Sequence, residues 1–93
     1  MKARALLAWN LRRIRVKADI PQERLAYDAG IDRSYMSGLE RQDANPTIDL
    51  LDRLARTLGV HISELFAQPP KGALRPKPLK AGRKAKTSPK KRP

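Results

Sequence analysis

The stretch GIDRSYMSG, residues 30–38, places an acid, Asp32, directly before a base, Arg33, with Tyr35 two positions further on. An arginine presents a planar fork of N–H donors that matches the O6 and N7 acceptors on the major-groove edge of guanine. A tyrosine here can contact a thymine methyl group or a phosphate. Arg33 is therefore the first candidate for recognising a base, with a solvated surface arginine as the alternative. For Asp32 the N-cap of a helix is favoured over a bond from cytosine N4.

The chain contains few of the groups on which enzymatic catalysis usually depends. There is one histidine, His61, no cysteine, no glycine-rich phosphate loop and no set of residues at metal-ligand spacing. These absences leave no recognisable catalytic constellation in the sequence. We therefore predict a protein that is not an enzyme and has no metal, no cofactor and no evident small-molecule ligand. His61 is expected to be a surface or capping residue.

Charge divides the 93-residue chain, whose formal charge is +12, into two parts. Residues 1–68 contain eleven Lys and Arg and all nine acids, whereas residues 69–93 contain ten bases, six prolines and no acid. The second part has too few large apolar residues to bury a core, so we predict a folded domain over 1–68 and a disordered Pro/Lys/Arg-rich tail over 69–93. Such a basic arm indicates a polyanionic partner.

The elements that must position these groups are predicted from apolar periodicity, which indicates helices and no strand. Helix one is expected from about Ala3 to Lys17, with Leu7, Leu11, Ile14 and Ala18 on its inner stripe. Helix two follows from Gln22 to Ala29, and helix three from about Arg33 to Arg41. Trp9 falls on the opposite face of helix one, where arginine stems or a subunit contact could cover it.

Turn and capping residues define the remaining boundaries. Pro21 suits the first turn of helix two and leaves it without a side-chain cap, and Gly30 suits its left-handed end. Thr47 is the expected N-cap of helix four, which Gly59 closes. The inner stripe of helix four comprises Ile48, Leu51, Leu54, Ala55 and Leu58. A short fifth helix, SELFA, is expected after a Ser63 cap.

Helices two and three have the parts of a sharp helix–turn–helix pair. Small residues at the contact, a glycine at the turn and apolar residues on the second helix occur in order as Ala26, Gly30, Ile31, Met36 and Leu39. Residues 11–66 resemble the DNA-binding domain of the lambda repressor and Cro type, the family of xenobiotic-response-element-like bacterial and phage regulators. The pieces that carry the resemblance are LRRIR, QERLA, AGIDRSYMSGLER and NPTIDLLDRLARTLGV. It implies an all-α, five-helix lambda repressor-like domain whose third helix lies in the major groove.

The resemblance also implies roles for particular residues. Gln22 corresponds to a glutamine that binds a backbone phosphate. The base-reading positions correspond to Arg33, Ser34 and Tyr35, with Ser37 and Gly38 one turn further along. Arg15 and Glu40 correspond to an internal ion pair, and a frequent glycine after ER is replaced by Gln42. Arg41 and Asn45, in or beside the loop after helix three, are expected to contact phosphates.

The predicted function is that of a sequence-specific double-stranded DNA-binding transcriptional regulator, with repression as the expected outcome. We expect a homodimer, a family property that Ile62, Leu65 and Phe66 could support, although these residues could equally belong to the core. A DNA-binding antitoxin that neutralises a toxin and a nonspecific nucleoid-binding protein are the alternatives. The longest apolar run, Ala5 to Trp9, is too short to span a membrane, so a cytoplasmic, nucleoid-associated protein is expected.

The tail contains Ser88-Pro89-Lys90-Lys91, which is similar to the SPKK repeats of histone tails that favour A·T-rich minor grooves. A purely electrostatic or solubilising tail is the alternative. Either way, we expect the tail to add DNA affinity and helix three to supply specificity, since each neutralised phosphate steepens the salt dependence of binding.

Overall fold

The computed structural model describes residues 2–72. This part contains four α-helices: α1, Ala3–Lys17; α2, Gln22–Ala29; α3, Arg33–Glu40; and α4, Ile48–Leu58. A short 3₁₀ helix, Ile62–Phe66, follows α4, and residues 2–72 contain no strand. The all-α class is therefore confirmed. The tail motifs lie outside the described residues, and the division at residue 68 stays a prediction.

The prediction of a fifth α-helix is wrong, because the last element is a 3₁₀ helix with a different cap. Nδ1 of His61, not the Ser63 side chain, accepts the backbone N–H of Ser63 at 3.1 Å. Five residues lie between this cap and Ala67, whose backbone is extended. That length is too short for the i→i+4 bonds of an α-helix to repeat, so the tighter helix forms. Within residues 2–72 no helix has the length and apolar character needed to cross a membrane.

One apolar core joins all five elements. Its largest fully buried side chains are Leu11, Leu25, Met36, Leu39, Leu54 and Leu65. α1 packs against α3 and the 3₁₀ helix, while α2 packs against α3 and α4. Burying a leucine or methionine side chain stabilises the fold by about 1.5–3 kcal/mol relative to leaving it exposed. Met36 and Leu39, predicted as the apolar residues on the second helix of the helix–turn–helix pair, are thereby confirmed as core residues.

The helices begin and end at the capping residues that the sequence predicts. Gly30 and Gly59 adopt left-handed backbone angles, with φ of +71° and +74°. The Thr47 hydroxyl accepts the N–H of Leu50 at 3.0 Å, and Pro21 precedes α2 without a side-chain cap. These boundaries rest on contacts between near neighbours in the chain.

Two residues of the predicted apolar stripes lie outside the core. Ile48 is 76% exposed because it is the first residue of α4 and lies one turn before Leu51, where the buried face begins. Ala18 is exposed as the C-cap of α1, after which Asp19 turns the chain with φ of +61°. Trp9 is partly buried, and the guanidinium of Arg13 lies 5.7 Å from its ring centroid, so an arginine covers it as expected.

A buried asparagine connects the two ends of the described chain. Asn10 is fully buried on α1, and its amide donates to the carbonyl oxygens of Leu6 at 3.0 Å and Ala67 at 2.8 Å. Its Oδ1 accepts two N–H groups from Arg13 at 3.2 and 3.0 Å. These bonds satisfy its buried polar atoms and hold the end of the 3₁₀ helix against α1. Periodicity alone does not indicate this role.

Gln42 is expected to be the site of a stabilising substitution. It follows α3 with φ of +68°, a region that favours glycine, while the N–H of Asp43 closes the turn on the Gly38 carbonyl at 2.9 Å. Gln42→Gly should raise the free energy of unfolding by about 0.5–1 kcal/mol, since relief of the left-handed strain exceeds the flexibility that glycine adds. Thermal denaturation measures the change. Gly30→Ala is the matched control and should lower the midpoint; a lower midpoint for Gln42→Gly as well would show that the Gln42 side chain stabilises the turn.

Candidate nucleic-acid interface

The connection between α2 and α3 sets the orientation of the candidate interface. Gly30 leaves α2 in the left-handed conformation, and the N–H of Ile31 returns to the Ala26 carbonyl at 2.9 Å. From α4, Nη1 of Arg53 donates to the Ala29 carbonyl at 3.2 Å. The end of α2 is thus held by its own turn and by a neighbouring helix. This rigid corner determines where α3 begins.

Asp32 is the N-cap of α3, as predicted. Its carboxylate accepts the backbone N–H of Ser34 at 3.0 Å and also contacts the Ser34 hydroxyl. The bond from the Ser34 hydroxyl, followed by the backbone N–H groups of Ser34 and Tyr35, holds the pKa of Asp32 below its usual value. The cap therefore stays ionised at neutral pH, beside the candidate base-reading residue.

Arg33 is the first residue of α3 and lies in the open. Its side chain is exposed, and no hydrogen bond or ion pair with another residue of 2–72 engages it. No donor of its guanidinium is therefore occupied by the described part of the chain, and all of them can meet a ligand. A cap on one side and the buried Met36 on the other fix the backbone that carries it. The geometry supports the role predicted for this arginine.

The other positions predicted to read bases differ in how exposed their side chains are and in whether their polar groups are already hydrogen-bonded. Ser34 is exposed, but its hydroxyl is engaged by Asp32. Tyr35 is 36% exposed and keeps part of its ring at the surface. Ser37 is half-buried and accepts a bond from Arg41. Gly38 is buried, and a Cβ added there would lie 3.9 Å from the Ala44 Cβ, so this glycine sits beneath the loop.

Arg41 and Asn45 lie after α3, as expected for phosphate contacts. Both residues are exposed. Arg41 is held in place because Nη1 donates to Ser37 at 2.5 Å and Nε donates to the Asp43 carboxylate at 3.0 Å. With more than half of its side chain exposed, Arg41 can still offer N–H groups to a ligand. These two residues extend the polar surface beyond the end of α3.

Glu40, at the opposite end of α3 from Arg33, accepts hydrogen bonds from three side chains. Its Oε2 accepts Nε of Arg15 at 2.7 Å, and its Oε1 accepts Nη2 of the same arginine at 2.9 Å. The second oxygen also accepts Nε of Arg12 at 3.1 Å and Nε2 of Gln22 at 3.0 Å. Arg15 is nearly fully buried and donates in addition to the Ile20 carbonyl at 2.8 Å. The ion pair implied by the resemblance is present and links α1 to α3, and the hydrogen bond from Gln22 joins α2 to the same carboxylate.

Opposing influences act on the pKa of Glu40. Burial of the carboxylate raises the pKa, while the hydrogen bond and charge of Arg15, followed by the bonds from Gln22 and Arg12, lower it. The lowering prevails, so the pKa lies below its usual value of 4.5. Glu40 is consequently a carboxylate at neutral pH.

The structure brings Gln22 to the end of α3 and adds a residue that the sequence prediction missed. Gln22 is half-buried and donates to Glu40, which fixes the direction of its amide. Arg12 shares the same carboxylate oxygen. The sequence signal for it is its spacing, because Arg12 and Arg15 are three residues apart and lie on one helix face. No group of three His, Asp or Glu side chains within 2–72 is arranged to hold a metal ion.

Comparison with known proteins gives a consistent result. The helix-turn-helix family profile matches residues 11–65. A hypothetical transcription factor of Neisseria meningitidis serogroup B is 39% identical over 66 residues, which make up 71% of this chain and 62% of that protein. A crystal structure of a hypothetical transcription factor from Neisseria has a TM-score of 0.71 at 38% identity, over 73% of this chain and 78% of the other.

Two restriction-modification controller proteins are similar in structure. C.AhdI of Aeromonas hydrophila has a TM-score of 0.68 at 33% identity, over 71% of this chain and 100% of its own. C.Esp1396I, in a tetramer bound to its natural 35-base-pair operator, has a TM-score of 0.62 at 29% identity, over 72% of this chain and 99% of its own.

The chain belongs to the helix-turn-helix family of DNA-binding transcriptional regulators. The predicted resemblance to the lambda repressor and Cro class is confirmed. The matched part of the chain spans about 62% of the length of the N. meningitidis relative.

Proposed function

We propose that this protein is a repressor that binds a specific double-stranded operator with α3 in the major groove. The observation that carries the proposal is the exposed Arg33, which lies at the capped start of a helix and has no partner within residues 2–72. Arginine in this position matches guanine through two parallel hydrogen bonds. Tyr35, Arg41 and Asn45 extend the surface with further base and phosphate contacts. No catalytic step is part of this function.

The proposed active form is a homodimer. Phe66, at the end of the 3₁₀ helix, is 37% exposed, whereas Leu65 is fully buried and Ile62 packs partly against the core. Phe66 is therefore the favoured apolar contact among the three residues first considered. Two copies related by a two-fold axis place their third helices about 34 Å apart, one turn of DNA. The operator should then be an inverted repeat.

Selection of bound sequences from a random duplex pool tests the proposal. We expect enrichment of an inverted repeat whose half-sites are about 10 base pairs apart and contain guanine. Binding without any enriched sequence would instead indicate a nonspecific nucleoid-type protein. Absence of duplex binding at physiological salt would overturn the proposal and leave a protein-binding role, such as that of an antitoxin.

A further inference from the structure

The charge balance around Glu40 is uneven. One carboxylate faces two guanidinium groups, those of Arg12 and Arg15. Arg15 makes two bonds to it and is 4% exposed at its side chain, so this pair neutralises itself within the core. Arg12 supplies one bond through Nε and adds a positive charge that the carboxylate does not balance.

Arg12 is also partly open to solvent. Its side chain is 24% exposed, while the Glu40 carboxylate beneath it is fully covered. The bond to Glu40 uses Nε, so the two terminal nitrogens of the guanidinium retain their donors. Glu40 thus holds the stem of Arg12 still and leaves the end of the fork available.

Gln22 lies beside this fork. Its Nε2 and the Nε of Arg12 bond the same oxygen of Glu40, which places the two nitrogens within about 6 Å of each other. An amide donates through two N–H groups, so Gln22 keeps one donor after bonding Glu40. A cation and an amide donor at this separation can bind the two free oxygens of one phosphate.

We propose that Arg12 is a DNA-phosphate contact that acts together with Gln22 and that Glu40 is the positioning residue for both. The inference rests on the proposed function and adds to it a site on α1. Arg12 contributes affinity that is independent of sequence, because a phosphate carries no base identity. Because Glu40 lies at the end of α3, it links the orientation of this helix to a DNA-phosphate contact made by α1.

The test compares Arg12→Gln with wild-type protein on one selected and one scrambled duplex across a salt series. Arg12→Gln keeps a donor for Glu40 and removes the charge. We expect the slope of log K against log salt to become shallower by about 0.9 for each bound copy, with equal loss of affinity on both duplexes. Arg12→Lys should retain most of the slope.

Arg13→Gln is the matched control. It removes the same charge from the next position of α1, but Arg13 faces Glu64 of the 3₁₀ helix at 3.6 Å rather than Glu40. An unchanged slope for Arg12→Gln, or an equal decrease for Arg13→Gln, would overturn the proposal. If Arg12→Gln is unstable, NMR spectra of the wild-type chain test the proposal instead. The Nε–H resonance of Arg12 must shift when the duplex binds, and an unchanged resonance would overturn the contact.

The two proposals fail in distinguishable ways. Loss of all duplex binding by the wild-type chain contradicts the proposed function. Specific binding by the wild-type chain, with no effect of Arg12→Gln, contradicts the Arg12 contact alone.

Discussion

Replacing Glu40 by alanine should lower the free energy of unfolding by about 3–5 kcal/mol. The substitution leaves the guanidinium of Arg15 buried without its carboxylate, with the Ile20 carbonyl as its remaining partner. Urea denaturation followed by the fluorescence of Trp9 measures the change. A loss of this size is a large part of the total stability of a small domain, so Glu40→Gln, which keeps the shape, serves as the milder variant.

Glu64→Ala is the matched control for this experiment. The Glu64 carboxylate is 51% exposed and lies 3.6 Å from Arg13, so its loss should change the stability by at most about 1 kcal/mol. Equal effects of the two substitutions would show that burial of the Glu40 network contributes nothing beyond a surface ion pair.

The same network predicts how stability depends on pH. The pKa of Glu40 is lower in the folded protein than its usual value of 4.5, so the folded state favours the charged carboxylate. Its contribution is complete above the unfolded pKa and is lost as the pH falls through 4.5 towards the folded pKa. Wild-type protein should therefore lose more stability on acidification over this interval than Glu40→Gln does.

Arg33→Ala should reduce discrimination between the selected operator and a duplex with its guanine replaced. A bidentate arginine–guanine pair contributes about 1–3 kcal/mol, which corresponds to about 5- to 150-fold in relative affinity. Because Arg33 is exposed and has no partner within residues 2–72, the substitution should leave the stability within about 0.5 kcal/mol. Competition binding with the two duplexes measures the first effect and thermal denaturation the second.

Two controls separate specificity from charge. Arg56→Ala removes an exposed arginine of α4 that pairs with Asp52, and it should leave the discrimination unchanged. A chain ending at Gln68 should lose affinity for both duplexes and keep its preference, since the tail contributes charge. If this truncation abolishes the preference while Arg33→Ala preserves it, specificity resides in the tail and not in α3.

Much of the fold follows from residues close together in the chain. The bounds of α2 and α4, the left-handed ends at Gly30 and Gly59 and the caps at Asp32 and Thr47 are as predicted. Each depends on a side chain or backbone angle that acts within about four residues, so the sequence contains the necessary information. The family resemblance added the expectation that Arg33, at the start of α3, reads a base.

The tertiary structure decided the features that depend on distant partners. Asn10 is buried because the Ala67 carbonyl reaches it, and Arg12 bonds Glu40 because α3 packs on α1. A polar residue on a helix looks the same in sequence whether it faces solvent or a partner, since its burial depends on where another element brings a hydrogen-bonding group. The sequence by itself therefore determined the helices, their caps and the candidate reading residue, and packing decided which distant polar side chains, such as Asn10 and Arg12, meet their partners.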